Sequence, residues 1–351
     1  MKPLTLDKVA SVTLNCGVGR EVRIDDRFRC REGDVVAVRL LSRKTRYNQL
    51  ELVTGRFSEL KPGDIVAGAL GHRDALYGYA GHLPTSLAVG DTVHLLNLGG
   101  VIGICDSFSP EVGPPMECEV LGQVLHFPDV GERRAHPANV AEHAQALRGA
   151  LTVGGVPVII VAGTSMNSGK TYACASLIQE LARRKIAVAA AKATGVSLRR
   201  DVLAMEDAGA RWTTIFTDFG TVTTTAGTAP ALARSMLSAL AEKGPDVIVL
   251  ELGDGLMGTY GVDAILGDEE LQTSFAAIIL AAHDPVGAWG GVRRLREEYG
   301  LDVTLVTGPA TDTSAGTRRI EELVGVTARN ARREPEALTE AVLDAVARRT
   351  R

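Results

Sequence analysis

From residue 9 to residue 127 the apolar positions fall in short runs separated by turn residues. VASVTL (9–14), DVVAVRLL (34–41), DIVAGAL (64–70), DTVHLLNL (91–98) and VLGQVL (120–125) are the clearest. Runs of this length, bounded by Gly, Pro and Asp, predict β-strands. Three are entered through the same dipeptide, in EGDVV (32–36), PGDIV (62–66) and VGDTV (89–93). Glycine supplies left-handed backbone there and aspartate a local side-chain hydrogen bond, so each predicts a tight turn. Residues 1–130 therefore read as a β-rich domain, a compact barrel or sandwich. The spacing of the runs is too irregular for a repeat array.

The polar stretch FPDVGERRAHPANVAEHAQALRGALTVGG (127–155) carries Pro and Gly, then a short helical pattern, and ends in a double Gly. It predicts a linker over 131–154. Beyond it the pattern alternates strand and helix. VPVIIVA (156–162) is continuously apolar, as in a parallel strand buried on both faces. In KTYACASLIQELARR (170–184), Cys174, Leu177, Ile178 and Leu181 recur as the stripe of an amphipathic helix. KIAVAAAK, TTIFT, DVIVLEL, FAAIILAA and DVTLVT predict further strands, with helices in APALARSMLSALAEK and GGVRRLREEYG. Residues 155–351 thus read as an α/β domain with a mostly parallel sheet, whose ligands would sit at the carboxyl ends of the strands.

Composition narrows the function classes. A net charge of −4 gives no reason to expect nucleic acid as a partner. Cys16, Cys30, Cys105, Cys118 and Cys174 include no close pair, which disfavours a disulfide framework and a cysteine zinc site. No apolar run approaches the ~20 residues of a membrane span, and MKPLTLDKVASVTLNC lacks a signal core. The expectation is a cytoplasmic, soluble protein without a membrane partner.

The chemistry concentrates in GTSMNSGKT (163–171), directly behind the buried strand and ahead of the amphipathic helix. A helix N-terminus carries unsatisfied N–H groups and a partial positive charge, so it favours an anion. Gly169 would let backbone approach a phosphate, Lys170 would reach the β- and γ-phosphates, and the Thr171 hydroxyl would ligate Mg²⁺. Gly163, Thr164, Ser165, Met166, Asn167, Ser168, Gly169, Lys170, Thr171 and Tyr172 are the candidate cofactor-binding residues. Glu251 ends a buried strand, where a carboxylate is costly unless paired with a cation such as magnesium; the alternative is a solvated strand end. Asp201 reads equally as a helix cap, and Lys192 alternatively as a snorkelling surface lysine.

The loop departs from G-x-x-x-x-G-K-[ST], because Thr164 holds the first glycine position and Gly163 precedes it. The form GT-x-x-x-x-GKT resembles dethiobiotin synthetase and its relatives in the MinD-like branch of P-loop proteins. AAAKATG (189–195), RRDVLAM (199–205) and VIVLELGDG (247–255) resemble further segments of that family, so the resemblance spans roughly residues 156–308. It implies Lys170 and Lys192 as catalytic lysines, with Lys192 facing the substrate and the transferred phosphate. It implies Thr171, Asp201 and Glu251 as magnesium ligands, ATP and Mg²⁺ as cofactors, and a homo-oligomer, a dimer by family. The implied reaction is of ligase type: a small-molecule carboxylate or carbamate attacks the γ-phosphate, and an amine traps the acyl phosphate. Dethiobiotin synthesis itself is not expected, since that enzyme has no counterpart of the first domain.

Two positions depart from the family. TGPATDTS (307–314) stands where the adenine-reading Asn belongs, which leaves ATP and GTP open. Ser165 replaces the lysine of ParA- and MinD-type switches, which argues against a partition ATPase. Two alternatives stay open: an accessory GTPase resembling MobB-type proteins, and an acyltransferase on the same domain whose loop would hold coenzyme A phosphates. Elsewhere, TDFGTVTTTAGTAP (217–230) reads as a pocket wall or a plain helix entry. His283 reads as a general base or substrate contact, with Asp284 beside it. GALGHRDALYGYAGHLP (68–84) gathers His72, Arg73, Tyr77, Tyr79 and His82 in a surface hairpin or a loop covering the nucleotide, without a third metal ligand at good spacing.

Overall fold

The computed structural model describes residues 1–127 and 135–349, so positions 131–134 of the expected linker lie outside the described residues. The chain divides into two compact units that interleave in sequence. One comprises Met1–Ala146, Val196–Arg200 and Phe216–Thr223; the other comprises Leu147–Gly195, Asp201–Ile215 and Thr224–Arg351.

The first unit is built on β1 (Val35–Leu40), β2 (Ile65–Leu70), β3 (Thr92–Leu95), β4 (Val101–Phe108) and β5 (Met116–His126). β5 pairs with β1, β1 with β2, β2 with β4, β4 with β3, and β3 again with β5. The ladder returns to its start, so the five strands form a closed barrel without free edges. Val36, Val38, Val66, Val101, Met116 and Val120 fill its core. The three Gly-Asp turns share one geometry. Gly33, Gly63 and Gly90 have φ of 82°, 91° and 94°. The N–H groups of Arg31, Lys61 and Ala88 donate to Oδ2 of Asp34, Asp64 and Asp91 at 3.0, 2.8 and 2.7 Å. A side chain with Cβ would be strained at those glycines, which is why the motif recurs ahead of each strand.

Two expectations fail here for related reasons. The run 9–14 is mostly a 3-10 helix, Ser11–Cys16, rather than a strand. The Thr13 hydroxyl and N–H both return to the Ala10 carbonyl, at 2.9 and 3.0 Å, and such local bonds compete with a ladder. The helical pattern before 155 forms no helix among the described residues 135–155. The N–H groups of Arg148 and Thr152 donate to the hydroxyls of Ser235 and Ser238, each at 2.8 Å. The Leu151 N–H donates to the Glu270 carboxylate at 2.8 Å, so the donors a helix needs are taken by side chains.

The second unit is an α/β fold around a six-stranded sheet: β6 (Val158–Gly163), β7 (Val188–Lys192), β8 (Trp212–Ile215), β9 (Val247–Glu251), β10 (Phe275–Ala281) and β11 (Leu305–Thr307). Their order is β8-β7-β9-β6-β10-β11, and every pair is parallel. Helices α1 (Lys170–Arg183), α2 (Arg200–Asp207), α3 (Ala229–Ala241) and α4 (Pro285–Tyr299) belong to the connections. On α1 the predicted stripe of Cys174, Leu177, Ile178 and Leu181 is wholly buried. Register aligns the strand ends: Lys192 lies opposite Glu251, and Gly163 opposite Ala281.

Candidate functional site

The loop 163–171 joins the end of β6 to the first turn of α1. Two residues take left-handed backbone, Asn167 at φ 59° and Gly169 at φ 99°, which turns the chain back onto the helix start. Gly163 has no room for a side chain. A Cβ there would collide with the Ser168 hydroxyl and lie 2.8 Å from Cδ of Lys170. The lysine stem therefore runs across the glycine, and Lys170 is buried. Its ammonium donates to the carbonyls of Ser165, at 2.9 Å, and Asp254. Burial lowers its pKa, while the Glu251 and Asp254 carboxylates oppose that shift.

One turn of chemistry gathers around Thr171. Its hydroxyl lies 3.2 Å from Oδ1 of Asp201 and 3.1 Å from Oε1 of Glu251. Lys192 forms a buried ion pair with the other oxygen of Asp201. Its stem passes between two glycines, where a Cβ at Gly195 or Gly253 would stand 3.6 or 3.2 Å from Cε. Lys170, Thr171, Lys192, Asp201 and Glu251 thus meet at the carboxyl end of the sheet, in one unit, from four separate segments.

Glu251 is the electrostatic anomaly. It is 2% exposed, and its Oε2 has no hydrogen-bond partner among the described residues. Burial, followed by the Asp201 charge, pushes its pKa up to about 7, against the pull of Lys192, Lys170 and the Thr171 hydroxyl. This oxygen is thus a buried acceptor that no hydrogen-bond partner among the described residues satisfies. Cys174 is fully buried nearby, and burial together with the neighbouring Glu251 and Asp201 charges pushes its thiol well up, leaving it unreactive.

The remaining candidates take mostly structural places. His283 donates through Nε2 to the Met166 carbonyl, 3.1 Å away, so it touches the phosphate loop. Asp284 caps α4, accepting from Val286 and Gly287 N–H at 2.8 Å each. Three hydroxyls of 217–230 are spent internally: Thr217 on Ser197, Thr223 on the His72 carbonyl, Thr224 on the Tyr260 carbonyl. In the hairpin, Arg73 donates to the carbonyls of Leu96 and Tyr77, and His82 pairs with Asp106 at 2.8 Å. Tyr172 is exposed, with the Arg332 guanidinium 4.7 Å from its ring centroid.

Sequence reasoning missed one participant, Asp254, and one structural tie, Asn330. The Asp254 carbonyl, on a residue with φ 73°, is an acceptor for Lys170; its signal was the motif LGDG after β9. Asn330 ties the loop after β11 together. Its amide donates to Thr311 and Asp312 at 3.0 Å each and accepts from the N–H of Arg332 at 3.0 Å and of Arg333 at 3.2 Å. A parallel bridge from Val306 to Ala328 brings it there, and no local pattern marks it.

No family model and no curated protein matches the chain. Among solved structures, the signal recognition particle receptor FtsY from Elizabethkingia anophelis is similar at 15% identity and TM-score 0.39, over 59% of this chain and 68% of that one. The signal recognition particle 54 kDa protein from Aeropyrum pernix in complex with GDP is similar at 17% identity and TM-score 0.36, over 55% and 49%. A DUF1611 family protein from Anabaena variabilis is similar at 12% identity and TM-score 0.39, over 59% and 64%. This chain thus spans about half to two thirds of their length, a likeness too slight to carry a functional inference. The geometry of the second unit decides the fold class: a buried parallel strand, a glycine-bounded loop with an inward lysine, and a helix opening on Lys-Thr make it a P-loop NTPase fold, beside a β-barrel unit.

Proposed function

We propose that the second unit binds a magnesium-bound nucleoside triphosphate, ATP in the leading reading, at residues 163–171. We further propose that it transfers the terminal phosphoryl group to a small carboxylate or carbamate, activating it for an amine, as the resemblance to dethiobiotin synthetase implies. The observation that carries the reading is the buried, unpartnered Oε2 of Glu251 beside the Thr171 hydroxyl and Asp201. Two carboxylates and a hydroxyl form the donor set a magnesium ion takes alongside phosphate oxygens. The residues fit the group. The cleared surface over Gly163 and the N–H groups opening α1 suit a phosphate chain.

Magnesium and triphosphate would supply the electrophilic phosphorus and the positive charge that Glu251 can accept. The chain's own residues do the rest by position and charge. Lys170 holds an ammonium at the helix mouth, anchored by carbonyls of both flanking loops. Lys192, oriented by Asp201, presents a second ammonium where an attacking carboxylate would be neutralised. The barrel unit, proposed as a separate domain over 1–130, takes no step in this scheme.

A thermal-shift screen of ATP, GTP and acyl-CoA, each with and without Mg²⁺, tests the reading on wild type and Lys170→Ala. Saturation at 100 times the dissociation constant stabilises by about 2.7 kcal/mol. Magnesium-dependent stabilisation by ATP that the variant lacks is expected, together with phosphate release that requires a small carboxylate and an amine. Stabilisation by acyl-CoA alone, or an unchanged shift in the variant, would overturn it.

A further inference from the structure

The barrel unit carries a second cluster of ligand atoms, independent of the phosphate loop. His126 ends β5, and Glu142 and His143 sit on the turn that follows Asn139. One donor atom from each lies within 4.8 Å of the other two. Nε2 of His126 is buried with no hydrogen-bond partner among the described residues. Buried polar atoms are nearly always paired, so this nitrogen asks for a ligand. The rings of His126 and His143 meet edge to face, 5.3 Å between centroids at 79°.

The turn that carries the other two donors is anchored. Asn139 accepts from the Ala141 N–H at 2.8 Å and donates to the Glu32 carbonyl at 3.0 Å and to Asp34 at 2.8 Å. The Val140 N–H donates to the Gly33 carbonyl at 3.0 Å. The first Gly-Asp turn thus fixes the backbone from which Glu142 and His143 project, close to the end of β5.

We propose that His126, Glu142 and His143 hold a divalent transition metal of the zinc class. Two imidazoles and one carboxylate are borderline donors, suited to zinc or its transition-metal neighbours and poorly suited to magnesium. Tetrahedral zinc at ordinary bond lengths sets its ligand atoms roughly 3.3 Å apart, and rotation of the exposed Glu142 and His143 side chains closes that gap. Three protein ligands leave a fourth position for water, the arrangement of reactive rather than purely structural sites. Glu142 also lines a cavity of about 500 Å³ with Arg29, Arg31 and His136, and both Glu142 and His143 are exposed, so these two ligands are reachable from solvent.

The full-length protein, stripped with EDTA, is titrated with Zn²⁺ by calorimetry and with Co²⁺ as a spectroscopic probe. One equivalent of Zn²⁺ is expected, together with the intense visible absorption of four-coordinate Co²⁺. His126→Ala and His143→Ala should each weaken binding by at least about tenfold and abolish that absorption. Glu142→Gln, at an exposed position that the fold tolerates, should weaken binding with an unchanged circular dichroism spectrum. Excess Mg²⁺ should not compete. Equal Zn²⁺ affinity in wild type and all three variants, no binding by the wild type, or displacement by Mg²⁺ would each overturn the proposal.

Discussion

Replacing Glu251 by Gln should stabilise the metal-free protein while impairing magnesium-dependent turnover. Burial raises the carboxyl pKa from 4.5 to about 7. Between those values the folded protein keeps a proton that the unfolded chain has released, so stability falls as pH rises through this window and the cost is complete above it. The shift corresponds to roughly 3 kcal/mol at full ionisation. Glutamine keeps an acceptor for the Thr171 hydroxyl, now 3.1 Å from Oε1, and removes the ionisation. Urea unfolding in EDTA at pH 5 and pH 8 measures the difference. Tryptophan fluorescence reports the relevant unit alone, because both tryptophans, Trp212 and Trp289, belong to it. The variant should be more stable by up to about 3 kcal/mol at pH 8 and by less than about 1 kcal/mol at pH 5. A magnesium titration of turnover should show the opposite ranking, since on the proposed reading the variant lacks the charge that would hold the ion. A variant less stable than wild type at pH 8 would refute the reasoning, because Lys170 and Lys192 would then already satisfy the carboxylate.

Gly163→Ala puts a Cβ 2.8 Å from the Lys170 stem; the fold should survive, and nucleotide affinity should drop by about tenfold or more, measured by calorimetry. Asp284→Ala removes both cap bonds of α4 and should cost about 1 kcal/mol of stability with nucleotide affinity unchanged; a loss of turnover at equal stability would give this residue a chemical role instead. A fragment beginning at Leu147 keeps the whole parallel sheet but strips 196–200 and 216–223 of partners such as Asn97, which donates to the Ser197 carbonyl at 2.7 Å, and Glu51, which accepts from the Arg199 N–H at 2.8 Å. It should melt at lower temperature and less cooperatively than the full chain by circular dichroism; equal melting would show those segments to be energetically idle.

Local chemistry made much of this protein legible in advance. The Gly-Asp turns read correctly because glycine's backbone freedom and aspartate's reach act within four residues, whatever surrounds them. The strand 158–163 and the stripe on α1 read correctly because burial on both faces and helical periodicity each leave a short-range pattern, and the loop 163–171 joins the two as its position in the chain implied. The errors came where side chains captured backbone groups: the Thr13 hydroxyl took the Ala10 carbonyl, and Ser235, Ser238 and Glu270 took N–H donors of the stretch before 155. Those partners are tens of residues away in the second case, and periodicity carries no information about them.

The sequence by itself therefore determined most of the element types and the strand–loop–helix order around 163–171, and it nominated the candidates Lys170, Thr171, Lys192, Asp201 and Glu251. Tertiary structure alone decided that a parallel register sets Lys192 opposite Glu251 and that Asp201 binds both Lys192 and Thr171. It alone decided that Asp284 is a helix cap while His283 reaches the loop, and that His126 meets Glu142 and His143. The physical reason is range. Turn, helix and strand preferences are settled by neighbours along the chain, whereas the charge environment of a buried carboxylate or an unpaired imidazole depends on which distant strands the closed ladder and the parallel sheet bring beside it.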